Sequence, residues 1–199
     1  MPQTLLALLA MILTSLLAFG QQRNVQSNYQ HMIGNEIEMA ASGAVMTVLE
    51  FIGSRSFDER TTPEGIHQAQ TLPPDAAALS ASNRFGSYDR GAGGCDLMQP
   101  FVTPDCDDVD DLEGLTGQTI SVTLSTGMTL DFEVGIEVDY VAVGDMETPV
   151  AGPTWFKRVI VTAESEMLPY GEIRMQRVFA YDPIKAEVDY ENLYGPLGA

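Results

Sequence analysis

The sequence predicts an α+β fold: a long N-terminal α-helix packed against a C-terminal antiparallel β-sheet head. Three observations carry this. Residues 4–19 are an almost unbroken apolar run, and residues 25–52 continue with apolar positions at steps of three and four, the helical period. Residues 119–140 alternate apolar and polar with period two, the signature of half-buried strands. Between them, Pro63, Pro73, Pro74, Pro100, Pro104 and a glycine-rich stretch at 91–94 punctuate a segment with no sustained period. The expected organisation is a helix over 1–55, an irregular connecting segment over 56–117, and a sheet head with a tail over 118–199. Within the helix, 1–20 is apolar and 21–55 amphipathic.

The front of the helix is the most apolar part of the chain: Leu5, Leu6, Leu8, Leu9, Met11, Ile12, Leu13, Leu16, Leu17 and Phe19. It has the length of a secretory h-region. Met1-Pro2-Gln3-Thr4 carries no basic residue, however, and no Ala-x-Ala site precedes the polar part. The run is also shorter than the roughly 20 apolar residues of a free membrane-spanning helix, so it spans only with help from Gly20 and the polar residues that follow. The expectation is a retained segment whose first mature residue is Met1, exposed by removal of a basic leader. Gly20 is the expected soft point, since glycine lowers helix stability by about 1 kcal/mol relative to alanine.

In the back half, Val25, Tyr29, Met32, Ile33, Ile37, Ala40, Ala41, Ala44, Val45, Val48, Leu49, Phe51 and Ile52 are the apolar positions, mostly at steps of three and four. The small residues at 40–44 would let a helix or sheet approach closely. Gly53-Ser54 reads as the end. About 50 helical residues at 1.5 Å rise make a rod of roughly 75 Å, longer than its own head can cover.

The connecting segment is expected to be mostly loop, with one short helical turn near Asp75. Its two cysteines, Cys95 and Cys106, are the only ones in the chain and predict a disulfide closing a small loop. Strands are then expected at 118–124 and 128–140, joined by a Ser125-Thr126-Gly127 turn, with Gly135 as a candidate bulge or break. Residues 144–153 read as loop. Two more strands are expected at 155–163 and 173–181, and 183–199 reads as an irregular tail with Tyr190 and Tyr194 packed on the head. The apolar face of this four-stranded meander needs a cover, and the stripe of the long helix is the candidate.

The formal charge is −18, and Arg23 is the only charged residue before Glu36, which leaves −19 on residues 36–199. A head this acidic repels nucleic acid and anionic lipid, so nucleic-acid binding is not expected. Only Lys157 and Lys185 are lysines. Such a surface fits a salt-adapted source, where self-repulsion is screened, and equally an ordinary acidic exported protein.

Little catalytic chemistry is legible, and no enzyme activity is expected. His31 lies in the helix and His67 in the connecting segment, and no zinc, phosphate-loop, dinucleotide or nucleophile-elbow motif occurs. No cofactor is expected. The dense run Asp105, Asp107, Asp108, Asp110, Asp111 and Glu113 has two readings: a Ca²⁺ site, since hard cations take clustered carboxylates, or a solvated acidic loop. The spacing does not fit an EF-hand.

On residues 1–54, and on the strand Trp155-Phe-Lys-Arg-Val-Ile-Val-Thr-Ala163, the chain resembles type IV pilins and pseudopilins. The strand is similar to the aromatic-x-Arg-Val-x-Val strand of minor-pilin-like sheets. Leu5 stands where that family usually has glutamate, and the cysteine pair lies in the connecting segment rather than near the C-terminus. The resemblance implies a leader removed by a prepilin peptidase, methylation at Met1, and a precursor held in the inner membrane with its head outside. It also implies assembly with further copies into an extracellular filament, with residues 5–19 as the filament core. Adhesion is among the roles such filaments take. A secretion-system pseudopilin, and a monomeric exported domain anchored by an uncleaved helix, are the competing readings.

Overall fold

The computed structural model describes residues 2–85, 95, 106–195 and 197; at 2–8 and 10 it describes the helical backbone alone. The first helix, α1 (Pro2–Gly53), is one uninterrupted element of 52 residues, about 78 Å long at the helical rise. Burial divides it. Ile37, Ala41, Ala44, Val45, Val48, Leu49 and Ile52 are buried, at the steps of three and four that keep one face turned to the sheet. In the small-residue cluster, Ala41 and Ala44 make the close approach, while Gly43 lies outside with open space beside it. At Gly53 the helix stops against the sheet: a Cβ there would lie 3.1 Å from the Phe179 ring.

The sheet is antiparallel and has five strands. β1 (Gln118–Thr123) pairs with β2 (Thr129–Ala142) through the turn predicted at 125–127, where Gly127 takes a positive φ of 81°. β2 then pairs with β4 (Phe156–Glu164), and β4 with β5 (Glu172–Ala180), giving the order β1-β2-β4-β5. Inward residues of β2 and β4, among them Phe132, Val134, Ile136, Val159 and Val161, meet the α1 stripe in one core. The expected cover for the sheet is therefore the observed one.

Three expectations need correction. Residues 145–149 are not loop: β3 (Asp145–Pro149) folds back on the end of β2. It is almost wholly exposed, so it carries no apolar alternation to detect. Gly135 neither breaks nor bulges β2 but pairs with Thr162, and the irregularity falls at Val141 and Ala142. The tail is not irregular. α3 (Pro183–Tyr194) starts where the Asp182 carboxylate accepts from Ile184 N and Lys185 N, with Pro183 in the first turn.

The connecting segment carries α2 (Pro63–Ala69), which places His67 on a helix rather than in a loop. The short turn expected near Asp75 is present at Ala76–Ala78, capped by the Asp75 carboxylate. α2 and α3 pack together: Ile66, Ala186 and Tyr190 are buried, and His67 stacks on Tyr194 with ring centroids 4.4 Å apart. Tyr190 is therefore buried, but mainly against α2 of the connecting segment rather than against the sheet, and Tyr194 stays exposed.

Candidate functional site

Two features stand out from the packed head. One is the part of α1 that leaves it. Leu9, Met11, Ile12, Leu13, Leu16, Leu17 and Phe19 are each more than half exposed, as are Val25, Tyr29 and Met32 further along. At 100° per residue these positions go round the helix rather than along one stripe, so no single flat neighbour can cover them. The two hydroxyls in this run turn back on the backbone: Thr14 Oγ1 donates to Met11 O at 3.0 Å and Ser15 Oγ to the same carbonyl at 2.8 Å. That arrangement suits apolar surroundings, where a hydroxyl finds no water. Gly20 sits within unbroken helix with open space around it. Met1 and the side chains of Leu5, Leu6 and Leu8 lie outside the described residues. Among the described residues no helix is long and apolar enough to cross a membrane.

The second feature is buried charge, and it corrects the reading of the acidic run as a solvated loop. Asp105 lies outside the described residues, but Asp108, Asp110 and Asp111 are buried, so the run is not a solvated loop. Its described carboxylates do not all face one point. Asp111 N donates to Asp108 Oδ1 at 3.1 Å, while Asp110 faces the other way, toward Lys157. Asp107 and Asp108 come together instead with Glu59, from the chain beyond α1.

The run is buried because a loop disulfide and a strand-like bridge hold it down. Cys95 and Cys106 form the expected disulfide, with Cα atoms 5.7 Å apart and both residues in the main core. Ser56 N donates to Asp107 O and Val109 N to Ser56 O, both at 3.0 Å, tying the end of α1 to the acidic run.

At the centre of this region is Lys157. On β4 it shares the inward face with Val159, Val161 and Ala163, and it is 0% exposed. Its ammonium donates to Phe57 O at 2.6 Å, to Asp58 Oδ2 at 3.1 Å and to Asp110 Oδ1, which uses all three of its protons. The rings of Phe57, Phe85 and Tyr140 surround it, with centroids 4.4, 5.1 and 5.1 Å away. Asp58, also 0% exposed, is the most heavily bonded carboxylate. It accepts from the backbone of Arg60 and from the backbone and hydroxyl of Ser80. The Tyr140 hydroxyl lies 3.0 Å from it.

Burial alone would raise the Asp58 carboxyl, but Lys157 beside it and the Arg60 and Ser80 amides hold it below the usual carboxylate range. Asp110 is pushed well above that range, first by burial, which outweighs Lys157, and then by the Asp58 charge. Asp108 is raised in the same way, by burial and then by Asp110 and Asp111. Tyr140 is raised by burial and by Asp58.

Lys157, Asp58, Ser80 and Tyr140 were not singled out from the sequence. One signal was there: the alternation that puts Val159, Val161 and Ala163 inside puts one of only two lysines inside as well. Asp58 gave no such sign, because it belongs to a segment without a period.

Comparisons of the chain with protein-family profiles, with curated proteins and with solved structures find no match.

Proposed function

We propose that this protein is the structural subunit of an extracellular helical filament of the type IV pilus kind, polymerising through the front of α1. The observation that carries the reading is the apolar surface of Leu9, Met11, Ile12, Leu13, Leu16, Leu17 and Phe19, which no described part of the head covers. Copies of the same helix cover such a surface on every side when they bundle. A head-to-tail contact that does not close then gives an open polymer. Exchange of lipid for apolar neighbours costs little, so packing decides the register. Before assembly this segment rests in the inner membrane with the head outside. Export to an oxidising compartment accords with the Cys95–Cys106 disulfide.

The test is electron microscopy of sheared cell-surface material, with mass spectrometry to identify the subunit, from cells carrying the wild-type chain or Leu16→Glu. Filaments containing the chain in the first case and none in the second are expected. A membrane-held monomer with no filaments, or normal filaments from Leu16→Glu, overturns the reading.

A further inference from the structure

We propose that Lys157 and Asp110 are joined by an intramolecular isopeptide bond, formed within the folded head with Asp58 as proton acceptor. The cage holds an amine, a carboxyl that can be attacked and a second carboxylate that can take a proton. All three lie within hydrogen-bonding contact and away from water. No substrate can reach Lys157, so any chemistry of its amine is with its neighbours. One ammonium faces two buried carboxyls, so a neutral cage leaves one of them protonated. The hydrogen bonds decide which. Asp58 is fixed as the carboxylate by the Arg60 and Ser80 amides, the Ser80 hydroxyl and Lys157. Asp110 Oδ2 has no hydrogen-bond donor among the described residues. Asp110 is thus the neutral acid, and burial raises it in the same direction.

The step balances without an oxidant or other co-reactant. Lys157 passes one proton to Asp58, and the neutral Nζ attacks Cγ of the Asp110 carboxyl. The C–OH bond breaks as a second Nζ proton reaches the departing hydroxyl through Asp58, and water leaves. The products are an Nζ–Cγ amide, one water and a protonated Asp58. The aromatic walls exclude bulk water and favour the neutral amine as nucleophile. The fixed geometry removes the entropy of bringing amine and acid together.

The inference does not depend on filament formation. Its test is the intact mass of the full-length, disulfide-bonded protein in detergent, followed by protease mapping. The expected mass is lower than that of the disulfide-bonded sequence by one water. A branched peptide should join the fragment containing Lys157 to the one containing Asp110. Lys157→Arg and Asp58→Asn should restore the full mass. Should either fail to fold, the wild-type mass and branched peptide still decide. A folded wild-type protein at full sequence mass after prolonged incubation overturns the bond. A branched peptide joining Lys157 to Asp58 overturns the assignment of roles.

Discussion

Lys157 and Tyr140 stand opposite each other across β4 and β2, and both aim their polar ends at the Asp58 carboxylate. The sheet thus finishes, at this end, in a charged plug rather than an apolar one. Asp58 receives that plug just after α1 ends, so helix, sheet and connecting segment meet on one carboxylate.

Removing the cation from this plug should cost far more than an ordinary surface change. Lys157→Met leaves Asp58 buried without its cation and also removes the proposed bond to Asp110, a loss of at least about 3–5 kcal/mol. Urea denaturation followed by circular dichroism reads it directly, and a change under about 1 kcal/mol would mean that the cage adds little to stability.

The buried acids fix the sign of the pH dependence. Asp108 is raised in the folded state above its ordinary value of 3.8. The fold therefore binds this proton more tightly than the unfolded chain does. Its contribution is fully present below the unfolded value and is lost as pH rises through the folded one. Asp58, held low, acts oppositely, and its contribution is lost only as pH falls below the ordinary value of 3.8. Stability should therefore fall as pH rises above the ordinary carboxylate value. Asp108→Asn keeps an acceptor for Asp111 N and should flatten that decline. Denaturation midpoints at about pH 5 and pH 8 for both proteins check it.

The α1 stripe holds the head together independently of any assembly. Ile52 is fully buried in the main core, so Ile52→Ala should destabilise the head by about 2–5 kcal/mol. Met46→Ala, on the exposed side one turn and a half earlier, should leave the midpoint within about 0.5 kcal/mol of wild type.

Reduction is the fourth handle. Opening Cys95–Cys106 removes the cross-link that holds the start of the acidic run in the core, with an expected loss of about 2–4 kcal/mol. The thermal midpoint with and without reductant measures it.

The parts of the fold legible in the sequence are those whose burial is one-sided and periodic. α1 declared itself through its steps of three and four, and β1, β2, β4 and β5 through alternation. β3 is exposed on nearly every residue and α3 has a weak stripe, so neither imposes a period. For α3 the Asp182-Pro183 pair was the readable sign, a cap followed by a proline in the first turn. The acidic run misled for a different reason. A string of aspartates reads as solvated because its partner, Lys157, is distant in sequence, and only the fold brings them together. The disulfide was readable because both of its ends lie in one short segment.

α1 runs as one unbroken helix from its bare front into the head, and Glu36 is clamped at the boundary by the Ser125 amide and hydroxyl. Such an element behaves as a drive shaft. In the filament proposed above, a rotation imposed at the exposed front of α1 would be carried along the unbroken helix to the sheet. In such an assembly the orientation of each head would then be set at the front of α1, some tens of ångströms away.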